Sequence, residues 1–476
     1  MLIAREEERG ILLDALRKDE SQFIAVYGRR RVGKTYLIRE TYHDSFTFQH
    51  AGFAAGKRKQ QLQAFYHSLQ EYGLSECKQP DNWMAAFELL KILVRRATAP
   101  RKIIFLDELS WMDTPRSDFM VALEGFWNGW VSARRDVVLI VCASATSWMI
   151  RKIIHNRGGL YNRLTGRIYL KPFTLGQCEE YLTANHMALP RVQILEGYMI
   201  LGGIPYYWSY MKPGLSLSQN IDAMFFAEHA PLKEEFAYLF ASLFKNPDIY
   251  IKIVSALGTK KAGMTREEIS KSLKEDANGS LSEKLEDLEN CGFIRSYREY
   301  GNRKKGTVFQ LTDGFVLFHY RFLENPVNDG HYWTNQLNTP ARNTWCGLAF
   351  ERVCLLHVPQ IKQKLGITGV LTDVCTWQCR KDPEKGLSGS QIDLLLVRAD
   401  RVINLCEMKY ASDEYTVTAA DDRAIRRKVS DFLTATQSRS AIHVTLCTTY
   451  GLHESPYAGR IQALITCDDL FAPVQA

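Results

Sequence analysis

A chain of 476 residues is too long for one hydrophobic core, so several domains are expected, and its 46% hydrophobic and 24% charged content excludes a disordered or fibrous protein. No apolar run approaches the roughly 18 residues that span a bilayer, which excludes a membrane span, and the acidic start after Met1-Leu-Ile-Ala excludes a secretory signal, so a cytoplasmic protein is expected. The net charge of +7 permits a nucleic-acid partner without requiring one, and eleven scattered cysteines read as reduced thiols rather than a disulfide frame or a zinc site.

The first chemical signal is Phe23-Ile-Ala-Val-Tyr27, a short apolar run of the kind that forms a buried parallel strand. It leads into Gly28-Arg29-Arg30-Arg31-Val32-Gly33-Lys34-Thr35 and then a helical stretch from Tyr36. Glycines at these places let the backbone curl so that its N–H groups face phosphate oxygens, and the helix N-terminus adds a favourable dipole. Lys34 then reaches the outer phosphates and the Thr35 hydroxyl ligates Mg²⁺. A second apolar run, Lys102-Ile-Ile-Phe-Leu, ends in Asp107 and Glu108. Asp107 is the candidate for the Mg²⁺ shell and Glu108 for polarising the attacking water. The strand Val137–Ala143 ends at Ser144-Ala-Thr146, where Ser144 and Thr146 are both candidates for sensing the terminal phosphate and both suit a helix cap. Arg163 and Arg167 follow as candidates for an arginine that reaches the transition-state phosphate of its own or a neighbouring copy, the second case requiring a homo-oligomer. Gly202-Gly-Ile-Pro205 ends the succession of motifs in this half.

The opening Ile3-Ala-Arg5-Glu6, the glycine-rich loop, Leu106–Leu109, Ser144–Thr146, Leu160–Arg163 and Gly202–Pro205 occur in an order that resembles the archaeal and bacterial AAA+-like ATPases related to the signal-transduction NTPases. The resemblance implies ATP as ligand, Arg5 and Glu6 near the adenine, and Pro205 coupling a helical lid to it. Asn162 stands where that family carries glycine before its arginine.

Residues 175–245 read as successive helices, and after Asn246 the pattern becomes that of a winged helix. Ile251–Leu257 is its first helix, Thr265-Arg-Glu-Glu268 a capping box opening the second, and Ser280-Leu-Ser-Glu283 one opening the third. Strands on either side of the basic turn 302–306 complete it. The third helix carries Glu283, Glu286, Asp287 and Glu289 against Lys284, which disfavours DNA reading and favours a spacer or protein-contact role.

Beyond Pro340, an amphipathic helix carries Glu351, a strand begins with Asp393, and the strand expected beside it ends in Glu407-Met-Lys409. Carboxylates on adjacent strands can hold Mg²⁺ or Mn²⁺, with a lysine to orient water. This order resembles the PD-(D/E)XK nuclease superfamily, which implies Glu351, Asp393 and Glu407 as metal ligands and Lys409 as catalytic. Arg423, Arg426, Arg427 and Lys428 follow on a helix as candidates for a nucleic-acid backbone.

The expected fold is a multidomain α/β protein: a P-loop core with a parallel sheet (1–172), a helical lid (173–245), a winged helix (246–325) and a restriction-endonuclease-like domain (326–476). The expected function is an ATPase coupled to a Mg²⁺-dependent DNA nuclease, in defence or mobile-element control. The rival is a nucleotide-switched regulator of DNA or protein binding whose C-terminal domain does not cut.

Overall fold

Runs without a polar break suit strands covered on both faces, and the computed structural model builds them into a parallel sheet. It describes residues 2–244, 246–274, 279–301, 306–325 and 327–474. The chain forms two units, Met1–Pro172 with Leu239–Pro247, and Phe173–Tyr238 with Asp248–Ala476.

In the first unit, β1 (Gln22–Tyr27), β2 (Phe48–Ala51), β3 (Lys102–Asp107), β4 (Val137–Ala143) and β5 (Gly166–Tyr169) lie in the order β2-β3-β4-β1-β5. Every neighbouring pair is parallel. The register sets Tyr27 beside Ala143 and Leu106 beside Val141, so the carboxyl ends of β1, β4 and β3 share one edge. From β1 the helix Lys34–Tyr42 carries the chain toward the far strand β2, while β5 adds on the other side of β1. The strand order therefore reverses beside β1, and the crevice beyond the carboxyl ends there is where open α/β sheets hold ligands.

Helices Arg58–Glu71, Trp83–Arg96 and Phe119–Gly129 supply Phe65, Trp83, Phe87, Phe119 and Phe126 to the core shared with Phe23 and Phe48. Trp83, Ala86, Phe87, Leu90, Leu93 and Val94 recur at helical spacing and are buried, and Asn82 caps this helix by accepting the Ala85 N–H at 2.9 Å.

The second unit begins with helices Leu175–Ala184, Arg191–Leu201 and Leu217–Phe225, the first and third opened by capping boxes at Thr174 and Ser216. Next come helices Pro247–Gly258, Arg266–Leu273 and Gly279–Asn290 with β6 (Met264–Thr265), β7 (Ile294–Tyr297) and β8 (Val308–Leu311). These three strands are antiparallel in the order β6-β8-β7. The Thr265 box forms as expected, with the Glu268 N–H bonded to the threonine hydroxyl at 3.2 Å. Ser280–Glu283 does not open the next helix, which already starts at Gly279. Leu281, Leu285 and Leu288 line its buried side. Asp287 accepts the Tyr250 hydroxyl at 2.7 Å and Glu289 accepts Ser296 Oγ at 2.6 Å, so two of the four acids bind within the unit while Glu283 and Glu286 are exposed. Of the basic turn, residues 302–305 lie outside the described residues.

The C-terminal sheet contains β9 (Thr372–Cys379), β10 (Ser390–Arg398) and β11 (Val402–Lys409). A separate pair is formed by β12 (Tyr415–Thr416) and β14 (Leu452–His453), while β13 (Ala441–Thr448) and β15 (Ala463–Ile465) complete the larger sheet. Its order is β15-β13-β11-β10-β9, antiparallel from β9 to β11 and parallel from β11 to β15. Helix Ala419–Thr436 is the crossover that the parallel β11–β13 pair requires, and its Phe432 packs on Trp377, Ile392, Leu395, Ile403 and Leu405.

Candidate nucleotide site

Three local demands shape the loop after β1. Gly28 has φ 144°, and a Cβ there would stand 2.3 Å from the Leu170 carbonyl oxygen, so only glycine lets the loop pass β5. Arg31 (φ 71°) and Gly33 (φ 93°) turn the backbone left-handed, and the helix starts at Lys34. Arg29, Val32 and Lys34 are buried, and Arg30 and Arg31 half-buried. The Lys34 ammonium donates to the carbonyls of Gly28 and Arg29, both at 2.9 Å, which fixes a positive charge inside the curl.

Thr35 Oγ1 donates to Asp107 Oδ2 at 2.6 Å, joining the start of this helix to the end of β3. Asp107 Oδ1 accepts the Glu108 N–H at 2.8 Å. Burial raises the Asp107 carboxyl, as does the charge of Glu108, while the bonds from Thr35 and Cys142 oppose this. Glu108 stands in the left-handed region at φ 46°, an uncommon conformation for a residue with a side chain. Its carboxylate accepts Ser144 Oγ at 2.7 Å and the Ser144 N–H at 3.3 Å. The two sensing candidates differ in setting: Ser144 binds the Glu108 carboxylate, whereas Thr146 Oγ1 is buried with no hydrogen-bond partner among the described residues.

Arg5 is buried and donates to the Lys171 carbonyl at 2.7 Å, one residue beyond the Leu170 that packs on Gly28. Glu6 starts the helix Glu6–Arg17. Arg163 and Arg167 are both exposed, and Asn162, in the glycine position, takes φ 56°. Asparagine tolerates that region better than most residues, so the departure keeps the turn. Pro205 is the first residue of helix Pro205–Trp208 in the second unit, where Gly202 (φ 57°) ends the preceding helix.

This edge suits a nucleoside triphosphate with Mg²⁺. Thr35 and Asp107 offer adjacent hard oxygens, the donor type magnesium takes while keeping water and phosphate ligands. The bound ion would neutralise phosphate charge. With a nucleotide bound, Lys34 and the loop N–H groups would orient the phosphates, and the Glu108 carboxylate would be the group to accept a water proton. Sequence reasoning missed Cys142 beside Asp107 and Leu170 beneath Gly28, since both contacts arise only from strand register.

The four C-terminal candidates fall into two sets of ion pairs, with Asp393 and Glu407 each adjoining the cross-strand pair Leu394–Cys406. Glu351, on helix Pro340–Leu356, accepts Lys261 Nζ at 2.8 Å, and the same ammonium lies 4.0 Å from Asp393. Glu407 pairs with Lys428 at 2.5 Å and Lys409 with Asp421 at 3.7 Å, both on helix Ala419–Thr436. Arg426 also pairs along that helix, with Asp422 at 2.8 Å. Among the described residues no group of three or more His, Cys, Asp or Glu is arranged to hold a metal. The residues therefore do not fit the Mg²⁺ or Mn²⁺ centre that the nuclease resemblance implies.

A five-stranded parallel sheet with this loop after β1, between β4 and β5, is a P-loop NTPase core. Residues 2–211 match the family described as an ATPase domain predominantly from Archaea. An uncharacterized protein of Methanocaldococcus jannaschii is 25% identical over 403 residues, 83% of this chain and 84% of that protein. Among solved structures, a Walker-type ATPase of Pyrococcus abyssi aligns at 16% identity and TM-score 0.47, covering 67% of this chain and 96% of that one. The Aeropyrum pernix ORC2 protein in ADPNP–ADP complexes aligns at 14% and TM-score 0.38, covering 75% and 96%.

Proposed function

We propose that this chain is a nucleotide switch that binds Mg²⁺-ATP on the edge formed by β1, β3 and β4 and hydrolyses it there. The single observation that carries the reading is the 2.6 Å bond between Thr35 and Asp107, with the Lys34 ammonium buried beside it. Two side chains far apart in sequence meet where a phosphate-bound ion needs oxygen, and Glu108 follows at once as the proton acceptor. Arg5 is assigned to the adenine side. Arg163 and Arg167 are assigned as alternative partners of the terminal phosphate, with a homo-oligomer required if either acts across copies.

The second unit is read as the responding part: helices 173–238 as the lid, 248–325 as a winged helix, and the remainder as a nuclease-like fold that does not cut. The ion pairs of Glu351, Asp393, Glu407 and Lys409 with lysines and aspartate support the switch over the nuclease. Steady-state hydrolysis of ATP by the full chain tests the first half, with Lys34→Ala expected to abolish it. Plasmid incubated with Mg²⁺ or Mn²⁺ and ATP tests the second. Intact plasmid is expected, and cleavage lost in Asp393→Ala would restore the nuclease reading. DNA remains a partner in this scheme through binding, measured as a steep fall of affinity with salt.

A further inference from the structure

We infer that the Lys261 ammonium is a built-in cation that closes the Glu351–Asp393 carboxylate pair in place of a divalent metal. The two carboxylates converge on one point: Glu351 Oε1 lies 2.8 Å and Asp393 Oδ2 4.0 Å from Lys261 Nζ, with side chains only 13% and 21% exposed. Half-buried acids at such a point need a counter-charge, and burial and the charge of Asp393 push the Glu351 carboxyl up while Lys261 pulls it down. Arg352 adds charge near both carboxylates and Arg295 near Asp393, but their hydrogen bonds go elsewhere. Arg295 Nε donates to Gln310 Oε1 at 2.8 Å and Arg352 Nη2 to the Lys261 carbonyl at 2.6 Å. Among the described residues, the ion pairs of both carboxylates are with Lys261.

The position of this lysine is enforced by the backbone. Its carbonyl accepts from Arg352 Nη2 and, at 2.8 Å, from Gln310 Nε2. The next carbonyl, of Ala262, accepts the Tyr297 hydroxyl. Gly263 then turns at φ 78°, and a Cβ there would lie 2.3 Å from the Phe309 carbonyl oxygen. Three side chains from β7, β8 and helix Pro340–Leu356 thus strap one short turn, and the strap delivers the ammonium. Glu351 Oε2 is buried with no hydrogen-bond partner among the described residues. That oxygen is the ligand a divalent ion would gain once the ammonium is removed.

The inference does not rest on the nucleotide site, and its test runs without nucleotide. Melting of metal-stripped full-length wild type, Lys261→Met and Lys261→Met/Asp393→Asn is compared with and without MnCl₂. Methionine keeps the apolar stem and removes the charge. The expected result is no Asp393-dependent response in wild type, a lowered Tm in Lys261→Met, and recovery of about half or more of that loss by Mn²⁺. Recovery should vanish in the double variant. Mn²⁺ electron paramagnetic resonance on wild type and Asp393→Asn gives a second reading that needs no destabilised variant. Asp393-dependent Mn²⁺ binding by wild type overturns the inference, because the pair would then take metal with the lysine present. A Lys261→Met protein that folds yet shows no Asp393-dependent response to Mn²⁺ overturns it as well.

Discussion

At the scale of residues, the account turns on Glu108 acting as a proton acceptor held by Ser144. Replacing Glu108 with glutamine keeps its size and its bond to Ser144 but removes the basic charge. Turnover of ATP should fall by ~10²–10⁴-fold while ATP affinity changes little, measured by steady-state hydrolysis beside equilibrium binding. A second residue-scale prediction concerns pH. His357 is buried, its Nδ1 bonded to the Val353 carbonyl at 2.8 Å and its Nε2 accepting the Leu175 N–H at 3.2 Å, so both nitrogens are committed in the neutral ring. Burial lowers its pKa to about 4, with the Val353 bond opposing. Because the folded value lies below the ordinary one near 6.5, the unfolded chain binds the proton first as pH falls. Stability is fully present above about 6.5 and is lost toward about 4, by on the order of 3 kcal/mol for this group. Urea midpoints at about pH 7 and about pH 5 should show the drop, and His357→Gln should flatten it. His50 and His319, also lowered to about 4 by burial, act in the same direction.

The residues of the nucleotide loop were legible in sequence because phosphate binding concentrates its needs in one short segment. Lys34, Thr35 and the acids after β3 all occupy the predicted edge. The carboxylates beyond Pro340 were legible as residues, but their ion-pair partners were not. What decides them is Lys261, Lys428 and Asp421, and only Lys428 had been noticed, for a different role. Long-range partners leave no local mark on the sequence.

At the scale of elements, helix starts were legible where a side chain returns to its own backbone. The Thr265 box formed because both partners lie within one turn, and the boxes at Thr174, Ser216 and Thr418 follow the same physics. The Ser280 box did not form: Ser280 already lies within the helix Gly279–Asn290, and its hydroxyl accepts the Lys284 ammonium. Close approaches were not legible. Gly203 shows why: a Cβ there would lie 1.9 Å from the Phe173 carbonyl oxygen, a contact set by folding of a segment thirty residues away. Gly203→Ala should therefore destabilise the second unit by about 1–3 kcal/mol, read as a lowered denaturation midpoint. Gly202→Ala tests another cause. It meets open space, so its penalty, about 1–3 kcal/mol, comes from the backbone alone, whose φ 57° and ψ −164° side chains rarely adopt.

At the scale of the whole molecule, the proposed function divides between two units: the oxygen and ammonium groups assigned to a triphosphate lie in the first, and the ion-paired acids Glu351, Asp393 and Glu407 in the second. The apolar runs made β1, β3 and β4 legible, whereas β2 (Phe-Gln-His-Ala) and β5 (Gly-Arg-Ile-Tyr) were not, and the order β2-β3-β4-β1-β5 follows from crossovers that patterning alone does not specify. The most direct measurement is a titration of full-length wild type and Lys34→Met with ATP and Mg²⁺, followed by binding calorimetry and phosphate release in the same samples. Wild type should bind close to one ATP per chain and release phosphate, Lys34→Met should lose both, and Glu108→Gln should bind without releasing. If wild type takes up no ATP with magnesium present, or Lys34→Met binds as well as wild type, the loop after β1 is not a nucleotide site and the switch does not exist.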